Sequence, residues 1–435
     1  MQYTINGLCD FLRGAVSSFH AVREMTRILD EAGFTRLREG RKWALVPGGK
    51  YYFTRNMSSL IAFAIPKAGF APICAVASHS DSPVFRVKQN AEIEVQGRYT
   101  LLNAERYGGM IMSTWMDRPL SVAGRVLIRN EHGLETRLVN LDCDTLIIPN
   151  LAIHMNREVN DNNRLNAQVD MQPLLGDITA RGSFMRLIAE NAGTAPECIV
   201  GSDLYLYNRM APSVWGREGE YISAARLDDL ECAYTSLCAF TEAQIGDHIN
   251  FFCCFDNEEV GSGTRQGADS TLFCDALRRI AAALGADEED FQAALTSSFM
   301  VSADNAHALH PQHPEKYDQT NRVFMNEGVV IKFSANQKYT TDGVSCALFT
   351  DICRRADVPV QYFANRSDMV GGSTLGNISG AHVSIPTVDI GLAQLAMHSA
   401  YETAGTRDAM YMARVLQKCY ESEIRSSADG AYDLD

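Results

Sequence analysis

Apolar residues recur at helical spacing between Leu8 and Ala32, at Leu12, Val16, Phe19, Val22, Met25, Ile28 and Leu29. That period predicts one amphipathic helix. Lys50 to Ile65 and Ala71 to Ala77 read as strands. Ile73-Cys74-Ala75-Val76-Ala77 is apolar throughout, the pattern of a strand buried on both faces. From about Val84 to Ile222 the texture changes to short β-rich segments, such as Ala91–Val95, Ser121–Arg129 and Thr145–Ile148, separated by turn signals like Glu131-His132-Gly133. From Ser223 onward, helical patterns alternate again with apolar strands, at His248–Phe255, Ser298–Ser302, Val358–Phe363 and Thr387–Ile390. The order predicts an α/β domain built from both ends of the chain, residues 1–84 and 223–435, interrupted by an inserted β-rich domain at 85–222.

Composition narrows the class. A chain of 435 residues is too long for one ordinary core, so two domains are expected. Hydrophobic content of 46% and charged content of 21% are those of a soluble globular protein. A formal net charge of −14 argues against a nucleic-acid surface, and any preference for acidic substrates would need a local cation. The twelve cysteines form no CxxC pair and several lie in apolar runs, as reduced core residues would. Met1 to His20 lacks the basic start and continuous apolar core of a signal peptide, and no stretch has the ~18 apolar residues of a membrane span. A cytoplasmic protein without a membrane partner is expected. The polar tail after Ser426 is expected to be loose.

Five polar motifs follow strand-like or helical segments of the two end regions. They are Ser78-His79-Ser80-Asp81-Ser82-Pro83, Arg226-Leu227-Asp228-Asp229-Leu230, Asp256-Asn257-Glu258-Glu259-Val260-Gly261, Ser302-Ala303-Asp304-Asn305-Ala306-His307 and Leu395-Ala396-Met397-His398-Ser399. Open α/β sheets place their sites beyond the carboxyl ends of the strands. A donor set of His, Asp and Glu without Cys suits zinc, and also cobalt or manganese. The residues suffice for two ions. Asp228 can bridge both, His79 and Asp304 can complete one site, and Glu259 and His398 the other. Asp81 can hold the His79 imidazole in one tautomer, and Glu258 is left free to move protons. Each motif has a plainer reading: Asp228-Asp229 can cap a helix, and His398 can be an ordinary helical residue.

Together these motifs resemble the aspartyl aminopeptidase family of dinuclear zinc exopeptidases. The matching stretches are SHSDSP (Ser78–Pro83), IPNLAIHMNR (Ile148–Arg157), RLDDL (Arg226–Leu230), DNEEVGS (Asp256–Ser262), SADNAHALHP (Ser302–Pro311) and QLAMHS (Gln394–Ser399), in the family's order along nearly the whole chain. The resemblance implies a zinc-peptidase-like catalytic domain of mixed sheet with helices on both faces, an inserted domain that drives dimerisation, and a homo-oligomer assembled as a tetrahedral dodecamer. It implies two divalent ions held by His79, Asp228, Glu259, Asp304 and His398, with Glu258 as general base and Asp81 supporting the first ligand. His154 would enter a neighbouring subunit's site and stabilise the transition state there.

Lys332, inside the apolar Val329–Phe333, matches the family lysine near the substrate's acidic side chain; a water-facing lysine on an edge strand is the alternative. His307 is placed to line the site. Gly372, Ser373 and Thr374 lie in a loop that could offer backbone N–H groups to substrate. That loop departs from the family's Met-Pro-Cys-Gly-Ser-Thr-Ile-Gly-Pro, reading Met369-Val370-Gly371-Gly372-Ser373-Thr374-Leu375-Gly376-Asn377. The expected activity is removal of N-terminal Asp or Glu from peptides. The same chemistry on neutral residues is one alternative. A non-catalytic assembly or cargo protein is the other, and the presence of Glu258 with all five ligands speaks against it.

Overall fold

The structure is a computed structural model and describes residues 2–435. Its largest sheet has nine strands, in the spatial order Thr35–Arg36, Lys50–Arg55, Ser59–Ala64, Ile249–Phe255, Ile73–His79, Phe299–Ala303, Thr387–Gly391, Val329–Phe333 and Val360–Ala364. The four strands Ile249–Phe255, Ile73–His79, Phe299–Ala303 and Thr387–Gly391 are mutually parallel, and antiparallel strands flank them. Their carboxyl ends therefore point the same way.

Alternation along these strands divides two cores. Cys74, Val76, Phe252, Cys254, Phe299 and Val301 pack on one face, against residues of the helices Ile5–Gly14, Ser18–Glu31, Leu227–Glu242, Gly343–Arg355 and Thr406–Tyr420. Ala75, Ala77, Phe251, Cys253, Phe255 and Met300 pack on the other, against Leu272–Ala283 and Glu288–Thr296. The continuous apolar runs are thus strands covered on both sides, and each fully buried Phe contributes about 1.5–3 kcal/mol through burial.

Six antiparallel strands form the inserted sheet, in the order Gly133–Asn140, Leu120–Asn130, Ile199–Asn208, Val84–Val95, Tyr99–Tyr107 and Leu174–Asp177. Phe85, Leu102, Trp115, Val122 and Leu206 pack with Phe184 and Ile188 of the helix Phe184–Ala192 in its own core. A third sheet runs Ser213–Trp215, Tyr221–Ala224, Glu402–Gly405, Ala393–Leu395, Ala306–His307. It ties residues 213–224 to the C-terminal part of the chain, so the sequence boundary at 222 falls within a strand of this sheet.

Several local expectations change. The 8–32 stretch is two helices, because Ser17 is extended and its hydroxyl accepts the His20 amide, capping a second helix. Lys50 to Ile65 is a hairpin, turning at Asn56 and Met57, both in the left-handed region. The tail pairs as Ile424–Ala428 with Ala431–Leu434 around Gly430, and Ile424, Tyr432 and Leu434 pack on the main core. Thr145–Ile148 contributes isolated bridges at Leu146 and Ile147, within a long, mostly irregular stretch at 141–173. Among the described residues, no helix is long and apolar enough to cross a membrane.

Candidate active site

Three of the five motifs leave the carboxyl ends of neighbouring parallel strands. His79 is the last residue of Ile73–His79 and pairs in register with Phe255, so the Glu258-Glu259 turn starts beside it. Asp304 follows Phe299–Ala303 on the other side of the same strand. Asp228 opens the helix Leu227–Glu242, where Asp228 and Asp229 have non-helical backbone. His398 sits in a tight turn at a left-handed φ of 67°, not in a helix.

The carboxylate of Asp228 divides these groups. Its Oδ1 lies 3.7 Å from His79 Nε2, which is 4.0 Å from Asp304 Oδ1. Its Oδ2 lies 3.4 Å from His398 Nε2, which is also 3.4 Å from Glu259 Oε2. Among the described residues, donor atoms within 4.8 Å of one another form three groups: His79, Asp228, Asp229 and Asp304; Asp228, Glu259 and His398; and His79, Glu258 and Glu259. The first two share Asp228, so the cluster can coordinate two metal ions.

Both imidazoles are oriented for that task. His79 Nδ1 donates to the Asp81 carbonyl at 3.1 Å, and His398 sets its Nδ1 side against Gly109. Each therefore turns Nε2 toward carboxylates. A bare imidazole lone pair facing a carboxylate is unfavourable unless a proton or a cation lies between them. Consistent with this, His79 is held well above its ordinary pKa: burial opposes the charged form, but Asp229, Asp228 and Asp81 outweigh it.

The acids show the complementary strain. Burial, assisted by neighbouring carboxylates, raises Glu259 and Asp304 and pushes Glu258 up to about 8. Asp228 is buried too, yet its two imidazole partners bring it below the ordinary carboxylate range. Asp228 Oδ1 and Glu259 Oε1 are buried without a hydrogen-bond partner. Crowded, unpartnered carboxylate oxygens among oriented imidazoles are a donor set that divalent cations satisfy.

The residues around the cluster extend beyond those expected. Asp81 faces His79 Nδ1 with its main-chain carbonyl at 3.1 Å and with its carboxylate at 3.5 Å. Its carboxylate accepts the amides of Glu258 and Glu259, at 3.1 and 3.2 Å, and the Tyr107 hydroxyl at 2.6 Å. Asp229 accepts the His79 amide at 3.0 Å. Glu402, fully buried, accepts the amides of Asp228 and His398 at 3.1 and 2.7 Å. Sequence reading missed the roles of Asp229, Glu402 and Tyr107. The only signal available for Glu402 was its place four residues after His398.

Lys332 lies on an interior strand and is 2% exposed, so the edge-strand alternative falls away. Its ammonium donates to the Asp304 carbonyl at 2.8 Å, lies 3.9 Å from Asp304 Oδ2 and sits over the Tyr339 ring. His307 packs edge-on against Phe363, and its pKa is lowered by burial and by Lys332. Gly372 and Ser373 are exposed. Thr374 is buried, with its hydroxyl given to Asp389 at 2.6 Å. His154 is exposed in the irregular 141–173 stretch and joins none of the metal-holding groups found among the described residues.

Relatives share this architecture. Residues 11–420 match the family described as aminopeptidase I zinc metalloprotease (M18). A probable M18 family aminopeptidase 2 of Clostridium acetobutylicum is 46% identical over 424 residues, covering 95% of this chain and 97% of that one. Among solved structures, one of an Ape4 and Nbr1 complex superposes with a TM-score of 0.93 at 32% identity, over 97% of this chain and 87% of that chain. The mApe1 dodecamer of S. cerevisiae superposes at 0.83 with 26% identity, over 95% of both chains. A match of this length, on a fold that gathers two overlapping sets of metal-holding side chains, establishes that the chain belongs to the M18 family of metallo-aminopeptidases, which includes aspartyl aminopeptidase and aminopeptidase I.

Proposed function

We propose that this aminopeptidase removes N-terminal Asp or Glu from peptides, with zinc as the metal and Glu258 as the general base. The observation that carries the two-metal reading is the division of the Asp228 oxygens between the His79–Asp304 and His398–Glu259 sides. His79 and Asp304 would hold one ion, His398 and Glu259 the other, and Asp228 both. Divalent ions held there would supply Lewis acidity, for the scissile carbonyl and for a water that attacks near neutral pH. Glu258 reaches into the same space as His79 and Glu259. It would take a proton as the water attacks and return it to the leaving amine.

Acidic preference rests on Lys332, a buried cation at the edge of the carboxylate cluster of a chain with net charge −14. Its contact with the Asp304 carbonyl favours a second reading, in which the ammonium is already engaged and neutral side chains enter the pocket. The deciding experiment compares hydrolysis of Asp-, Glu- and Leu-p-nitroanilide by protein loaded with zinc, cobalt or manganese. Faster cleavage of Asp or Glu is expected, and a Leu preference would discard the acidic reading. Lys332→Ala should lower the Glu-to-Leu ratio of kcat/KM on the order of tenfold. Equal losses on both substrates would reduce Lys332 to a neighbour of Asp304.

Assembly and location complete the reading: a cytoplasmic homo-oligomer, a tetrahedral dodecamer built from dimers, with His154 reaching the site of a neighbouring subunit. Support comes from the exposure of His154 beside Leu151, Ile153 and Met155, apolar side chains that are 61%, 45% and 75% exposed. The solved mApe1 relative is a dodecamer. Mixing His154→Ala protein with Glu258→Gln protein under subunit exchange should restore activity, because some sites then hold both intact residues. Mixtures no more active than their parts would place His154 outside the partner's chemistry.

A further inference from the structure

The inserted domain touches the catalytic machinery of its own chain, through the last residue of the strand Tyr99–Tyr107 and the residues just after it. Tyr107 donates its hydroxyl to Asp81 Oδ2 at 2.6 Å and accepts the Asn257 side-chain amide at 2.8 Å. Asp81 in turn receives the amides of Glu258 and Glu259, and Asn257 is the left-handed residue that begins their turn. One hydroxyl thus sits between the carboxylate that holds the turn and the side chain at its start. Gly108, at a φ of +77°, lies so close that an added Cβ would sit 3.1 Å from the Glu259 Cβ. Gly109 lies beside the His398 ring, where an added Cβ would sit 4.0 Å from Nδ1, and the Ile111 amide donates to the His398 carbonyl at 3.0 Å. The same short segment therefore contacts the acid-pair turn and the second-site imidazole from one side.

We propose that Tyr107 is a positioning residue for Glu258, and that residues 107–111 let the inserted domain set the geometry of its own subunit's active site. This rests on the reading of Glu258 as the base. The physical argument is one of tolerance. A short turn whose two amide N–H groups donate to one carboxylate is only as well placed as that carboxylate. Asp81 is fixed from the catalytic domain by its own backbone, and from the insert by the phenol. Losing the phenol leaves Oδ2 with the Glu259 amide alone, so the carboxylate can turn, and Oδ1 then carries the Glu258 amide with it. Displacements well under 1 Å matter to proton transfer.

Tyr107→Phe in the metal-loaded enzyme removes only the hydroxyl. Its kcat should fall about tenfold, the scale of one hydrogen bond to a charged group, with KM and bound metal unchanged. In a Glu258→Gln background the same change should cost less than ~twofold, because the group it positions is already gone. Wild-type kcat in Tyr107→Phe would overturn the proposal. So would an equal tenfold loss in both backgrounds, or loss of bound metal in Tyr107→Phe, each of which would show that the phenol acts elsewhere. Wild-type turnover in Glu258→Gln alone would remove the base assignment and this proposal together. That failure is read from a protein with Tyr107 intact, so it is distinguishable from failure of the positioning role.

Discussion

Glu258→Gln is expected to lower turnover at least ~10²-fold while the protein stays folded and keeps its metal, the usual scale for losing a positioned proton carrier. Gln has the size of Glu and its carbonyl accepts a hydrogen bond, but it neither accepts a proton from an attacking water nor returns one to an amine. The main-chain amide of residue 258 still reaches Asp81, so the turn is kept. Glu259, His79, Asp228, Asp304 and His398 are untouched, so metal content by elemental analysis should match the wild type. Retained metal combined with lost turnover assigns Glu258 to chemistry. Lost metal would make it a ligand, and retained turnover would move the proton-transfer role elsewhere.

The parts of this site that sequence revealed are those that carry their own chemical signature. His79, Asp304 and the Glu258-Glu259 pair were legible because each follows an apolar strand, and parallel strands bring such ends together. Lys332 stood out as a cation in an apolar run, although its contact with Asp304 did not. Asp229, Glu402 and Tyr107 gave little signal for a physical reason. Asp229 and Glu402 act on backbone N–H groups, which every residue except proline possesses, and Tyr107 acts on a carboxylate brought near only by folding. Local competition explains the differences in the fold. Ser17 offers a capping hydroxyl in the middle of a continuous helical period, so one predicted helix became two. In the tail, the alternation of Ile424, Tyr432 and Leu434 finds a core that composition alone did not show. The irregular 141–173 stretch carries apolar side chains with no strand or helix period, so sequence placed His154 near a strand end and could go no further without the resembled family.

Asp228→Asn should affect both ions at once. Each other proposed ligand is assigned to one ion, whereas the two oxygens of Asp228 face His79 and His398, one from each set. The amide nitrogen of Asn is a donor and cannot serve as the second bridging atom, so no more than one ion should bind tightly. The electrostatics worsen together with the geometry. Asp228 is buried between His79 and His398, which bring its pKa down, so it is the carboxylate in this cluster that ionises most readily. Its removal takes away the negative charge best placed to hold two dications, while Asp304 and Glu259 are acids whose burial favours the proton. The expected result is a folded protein with metal stoichiometry of one or less by calorimetric titration, and turnover indistinguishable from the uncatalysed reaction. Stripping the wild type with a chelator should give the same loss, reversed by adding metal back; Asp228→Asn should not recover. A variant that binds two ions and hydrolyses peptides would show that the bridge lies elsewhere, and the division of the cluster into two sites at Asp228 would have to be abandoned.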